Sequence, residues 1–73
     1  MIDVKELKKG DKVHYMPKHY KNKGKFENGI VKSIAPNGGV FVVYNCNNEW
    51  HNFENYTAAN TNPENLFMGW KYD

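Results

Sequence analysis

The densest run of chemistry-bearing residues is Lys18-His19-Tyr20-Lys21-Asn22-Lys23-Gly24-Lys25. Lys18, Lys21, Lys23 and Lys25 bring four ammonium groups into eight residues, with Tyr20 among them. Such a loop can hold a phosphate backbone while the ring stacks on a base. It can equally dock on an acidic protein surface, including that of a nucleic-acid-binding protein whose own ligand it would displace. The ordinary alternative is a solvated loop in a lysine-rich proteome, because counterion-driven attraction needs only charge.

Tyr44, Trp50, Phe53 and Tyr56 form a second constellation, in which the same rings are also needed to build the core of a small domain. Phe41 and Phe53 are expected inside, with Tyr20 and Trp50 partly exposed. Cys46 and His51 invite a nucleophile or metal reading. A thiol nucleophile needs a base, an orienting group and an oxyanion site, and only proximity in sequence is present here. His14, His19 and Glu49 fall at no zinc spacing, so a small, half-buried cysteine ending a strand is the simpler account. The asparagines Asn45, Asn47, Asn48, Asn52 and Asn55 can supply hydrogen bonds to a ligand. Turn chemistry explains them as well.

The background to these residues is a chain of 73 residues with 15% aromatic content and one cysteine. That is one domain, 1–73, with a thin core and no internal disulfide. No run reaches the ~18 apolar residues of a membrane span, and the first residues do not read as a signal peptide. A cytoplasmic protein is expected, in a host cell if a phage encodes it. The sequon Asn55-Tyr56-Thr57 then reads as coincidence. All ten basic residues are lysine, which suits an AT-rich genome such as that of a low-GC bacterium or its phages. Without arginine the bidentate fork that reads guanine edges is missing, so binding must rely on point charges. Residues 1–32 carry nine lysines against four carboxylates, a net +5, and residues 33–73 carry −3. The split implies a positive face or loop on a molecule of low net charge.

The elements that must position these groups follow from pattern. Gly10-Asp11 reads as a turn opening a strand through Val13 and Tyr15. Residues 16–25 read as a long exposed loop. A strand from about Phe26 to Ala35 contains Gly29, which suggests a bulge or bend. Pro36-Asn37-Gly38-Gly39 is a hairpin signal, and Val40 to Tyr44 reads as a strand apolar on both sides and internal to the sheet. After a turn at 45–48, the three-residue recurrence of Trp50, Phe53 and Tyr56 reads as a tight turn leading to a strand near 56–59. Asn62-Pro63-Glu64 predicts a capped helical turn, with a closing strand over 67–72.

Five short strands in this order, with one short helical turn before the last, resemble the small five-stranded barrels of the Src-homology-3-like and Tudor-like class. The pieces that carry the resemblance are Gly10-Asp11-Lys12-Val13, Gly29-Ile30-Val31, Val40 to Tyr44 and Glu64-Asn65-Leu66. A narrower resemblance, at Val42-Val43-Tyr44-Asn45-Cys46 with Trp50, Asn52-Phe53 and Asn55-Tyr56-Thr57, is to uncharacterised small proteins of bacteriophages and prophages. The barrel resemblance implies an aromatic cleft near the strand ends for methylated side chains or peptides, lined here by Tyr15, Tyr44 and Trp50.

The expectation is therefore a mainly β, non-enzymatic binding module that engages a host protein, for example a defence enzyme it inhibits. Nucleic acid held by the 18–25 loop is the alternative, and a self-assembling structural component completed by a second copy is another. The partner-binding residues are expected to be Lys18, Tyr20, Lys21, Lys23, Lys25, Tyr44 and Trp50. No catalytic residue, metal ligand, cofactor or membrane contact is expected.

Overall fold

In the computed structural model, which describes residues 2–72, five strands form one antiparallel sheet: β1 Lys12–Tyr15, β2 Glu27–Ile34, β3 Val40–Val43, β4 Ala59–Thr61 and β5 Leu66–Met68. Their order is β4-β3-β2-β1-β5, so β4 and β5 are the two edges. Among the described residues no helix is long and apolar enough to cross a membrane.

Turn chemistry sets the register. Gly10 takes a φ of +92°, which lets the chain reverse before β1, while the Asp11 carboxylate accepts from Lys8 N. Gly10 N and Asp11 O then bond to Val31 and fix β1 against β2. The β2–β3 hairpin closes at Gly38, φ +90°, with Ala35 N donating to Gly39 O at 2.8 Å. Both turns lie where Gly-Asp and Asn-Gly place them.

The sheet buries apolar side chains on both faces. On one, Val13, Val31, Val40, Val42 and Leu66 meet Ile2 and Leu7 in the main core. Val40, Val42 and Val43 are all fully buried, as expected of a strand apolar on both sides. On the other face, Ile30 and Val43 pair directly across the ladder. They lie on the side covered by a 3₁₀ segment, Trp50–Asn55, that packs against β2.

Several elements differ from the sequence reading. The bulge in β2 falls at Lys32, where the register with β3 shifts between Val31 and Ser33. Gly29 serves a different need, since a Cβ there would sit 2.5 Å from Val42 Cγ1 and 2.9 Å from Val43 O. The tight turn expected at Trp50, Phe53 and Tyr56 is two short helical turns joined across a kink at Asn52 (φ −116°, ψ 24°), with Tyr56 extended at their end. The fourth strand starts at Ala59, the last residue of the 56–59 expectation, and runs to Thr61. The capped turn Pro63–Asn65 is present, with Asn62 Oδ1 accepting from Glu64 N at 2.9 Å. The last strand is shorter than 67–72, because Gly69 (φ +81°) turns the chain back over the sheet. The 16–25 loop contains a single α-helical turn, Lys18–Lys21, after Pro17. Cys46, expected half-buried, is 1% exposed.

Candidate binding groove

Three tyrosines from three elements meet at one end of the sheet. Tyr15 ends β1, Tyr20 sits in the helical turn and Tyr44 follows β3. The Tyr15 ring packs edge-on to Tyr20 with centroids 5.6 Å apart and to Tyr44 at 5.9 Å. Edge-to-face geometry is the favoured arrangement of such rings and fixes their relative positions.

Beside them lies a groove of about 340 Å³, bordered by Tyr15, Glu27, Tyr44, Thr61, Asn62 and Asn65. Strand pairing brings Glu27 there, because it is the register partner of Tyr15 across β1 and β2. Among the described residues Glu27 makes no ion pair. Its carboxylate acts on the Tyr44 phenol, whose pKa is pushed up to about 12, mainly by burial. The Tyr44 hydroxyl therefore stays protonated near neutral pH. It lies 2.8 Å from Thr61 Oγ1, which donates in turn to Ala59 O at 3.2 Å. That chain makes Tyr44 the donor and leaves its ring as the groove wall.

The lysine loop adjoins this groove. A second depression of about 440 Å³ is bordered by Tyr20, Gly24, Lys25, Phe26 and Glu27, so the two share Glu27. Lys18, Lys21, Lys23 and Lys25 are exposed, and among the described residues none makes an ion pair. Three other lysines of the basic half are engaged within the fold. Lys9 pairs with Glu54 at 2.7 Å, Lys12 sits 4.6 Å over the Trp70 ring, and Lys32 donates to Tyr56 O at 2.7 Å. Lys5 and Lys8, also exposed, lie outside the loop, so the loop holds four of the six lysines of this half for which no such contact is found among the described residues.

Of the residues expected to bind a partner, Tyr20, Lys25 and Tyr44 come together around Tyr15 and Glu27. Lys18, Lys21 and Lys23 are exposed on the same loop but border neither depression, and Trp50 does not join the group. Its ring packs on Trp70 at 4.9 Å, and the Trp70 indole donates to Gly29 O at 2.8 Å. Asn28 anchors the returning tail by donating to Lys71 O and accepting from Lys71 N, both at 2.9 Å. Trp50 thus helps cover the sheet, away from the groove.

Glu27, Thr61, Asn62 and Asn65 carry the polar chemistry of the groove, and sequence reasoning passed over them. Only Glu27 had a readable signal, since a correct β1–β2 register places it opposite Tyr15. Asn47 and Asn48 adopt φ of 52° and 64°, so these two serve the turn after β3. Cys46 is buried and His51 exposed, and no group of three or more His, Cys, Asp or Glu among the described residues can hold a metal ion.

Rings, a carboxylate and amide side chains around one depression can take a cation and the polar backbone of a polypeptide. The chain matches no protein-family model, and neither curated proteins nor solved structures gave a match to it.

Proposed function

We propose that this protein is a non-enzymatic binding module of Src-homology-3-like, Tudor-like architecture, an accessory of a phage or mobile element that binds and modulates a host protein. The strand order and the capped 3₁₀ turn before β5 support the architecture. The lysine-only basic composition and the resemblance in the 42–57 region support the origin.

The observation that carries the choice of a protein partner is Glu27. It lies between the tyrosine groove and the lysine loop, without a cationic partner among the described residues. A phosphate about 5 Å from that carboxylate would meet a repulsion of about 3 kcal/mol at an effective dielectric of about 20. A basic side chain in the same place gains by a similar amount before desolvation. Nucleic acid is therefore disfavoured in the groove. The features that suggested self-assembly are met in part within one chain: β3 is buried between its own neighbours and Trp70 packs on Trp50, while Met68 and Tyr72 stay exposed.

Nucleic-acid binding remains the second reading, supported by the four exposed lysines of the loop. A salt series with mixed-sequence DNA and RNA oligonucleotides separates the two. Wild type is compared with a Lys18/Lys21/Lys23/Lys25→Ala variant. The protein reading expects neither form to bind more tightly than about 100 µM near physiological salt, the weak end of nonspecific binding. Low-micromolar binding by wild type that falls steeply with salt and disappears in the variant would replace it with the nucleic-acid reading.

A further inference from the structure

The groove continues along an unpaired sheet edge. Among the described residues β4 pairs only with β3, through Val40 with Thr61, Phe41 with Asn60 and Val42 with Ala59. Two depressions run beside it. One is the tyrosine groove, and the other, of about 400 Å³, is bordered by Tyr44, Tyr56 and Thr57. Both touch Tyr44 and Ala59. Both depressions therefore border the open edge between Thr57 and Asn62.

An edge strand offers unpaired N–H and C=O groups, and proteins usually blunt it with lysine, proline, a bulge or a covering segment. β4 reads Ala-Asn-Thr, and its register with β3 is uninterrupted. Ala59 and Asn60 are exposed. The chain has ten lysines and places none on this strand.

We propose that an extended segment of the partner protein joins β4 as an added strand, and that a lysine or arginine of this segment enters the groove of Tyr15, Tyr44 and Glu27. This rests on the protein-binding reading above and specifies the form and charge of what binds. Main-chain pairing supplies the affinity, and alternate side chains, which point to one side of a strand, supply selectivity. Charge complementarity identifies the side chain. Glu27 faces the groove with no cation against it among the described residues, and two tyrosine rings beside it provide the π surface that an ammonium or guanidinium prefers. The lysine loop, sharing Glu27 as its border, repels a second basic residue there and attracts an acidic one, so the segment is expected to be basic at one position only.

The test uses the intact protein and heptapeptides enriched on it from a random display library. The best binder is resynthesised with backbone N-methyl groups on the odd or on the even residues. Strand addition expects one set to lower affinity at least about tenfold and the other less than about threefold, because only alternate amides face the protein edge. The β4 amide hydrogens should exchange more slowly with the parent peptide bound. Glu27→Gln should weaken binding at least about threefold with Tm unchanged, Glu27 being exposed. If both N-methylated sets bind like the parent, or β4 exchange is unaltered, strand addition is wrong while protein binding stands. If no peptide is enriched, both readings fall. Protection of β4 by an oligonucleotide in place of peptide would also overturn the proposal.

Discussion

Gly29→Ala is expected to lower the unfolding free energy by about 3 kcal/mol, at the upper end for a single inserted methyl in a packed core. The added Cβ would lie 2.5 Å from Val42 Cγ1, 2.9 Å from the Val43 carbonyl and 3.0 Å from Tyr44 Cδ1. A side chain can rotate away, but the Val43 oxygen belongs to the backbone of the neighbouring strand and cannot move without parting β2 from β3. For a chain of this length the total stability is about 4–11 kcal/mol, so the loss is a large share of it. Urea unfolding checks this, and the midpoint should fall while the slope stays that of wild type. A wild-type midpoint would mean that β2 and β3 do not approach this closely. Because Tyr44 is one of the three groups struck, the residual folded protein should also bind peptide more weakly.

Trp70→Ala is expected to cost about 2–3 kcal/mol, somewhat below a fully buried aromatic because the ring is only half-buried. Three interactions disappear together: the packing on Trp50, the Lys12 ammonium over the ring and the hydrogen bond to Gly29 O. The tail would keep His14 Nδ1 against Gly69 O at 2.8 Å and the paired Asn28 contacts to Lys71. Ile30 and Val43 would nonetheless lose cover. Trp70→Phe keeps a ring near Trp50 but loses the indole hydrogen bond and part of the ring area, so about 1–2 kcal/mol is expected. Thermal unfolding followed by circular dichroism distinguishes the two variants. Equal losses would mean that the ring packing contributes nothing. Since Trp70 is not part of the groove, the phenylalanine variant should bind peptide as wild type does.

These two positions show what could be read from sequence and what could not. The strand of Val40 to Val43, the Asn-Gly hairpin and the Asn62-Pro63-Glu64 cap were legible because each depends on neighbouring residues alone. Gly29 was noticed for the right property, the absence of a side chain, but assigned the wrong purpose. A close approach between strands depends on what lies opposite, and the bulge itself fell at Lys32. The recurrence of Trp50, Phe53 and Tyr56 reads as a tight turn, yet its helical form is not in that reading, and which face it covers depends on where the tail returns after Gly69. That return is set by bonds from Lys12, His14, Gly29 and Asn28, tens of residues away. The segment before β1 carried little pattern, and still Ile2 and Leu7 complete the core, steered by the Asp3-capped turn Val4–Glu6.

The candidate site divides the same way. The lysine loop and Tyr20 were visible as a local run. The groove beside them needed the register of β1 with β2, which puts Glu27 against Tyr15, and the path of β4, which brings Thr61 to Tyr44. A charge reading of the loop alone favours phosphate, whereas the assembled site also holds Glu27, which makes no ion pair among the described residues, and this supports the proposed single basic side chain in the groove.

The proposed function puts the partner in the tyrosine groove, and not on the loop or the tryptophan face. Amide-shift mapping on nitrogen-15-labelled protein, titrated with the tightest heptapeptide from the display selection, tests it directly. The largest shifts are expected at Tyr15, Glu27, Tyr44 and residues 59–62. Shifts confined to residues 18–25, or to the surroundings of Trp50 and Trp70, would contradict that placement.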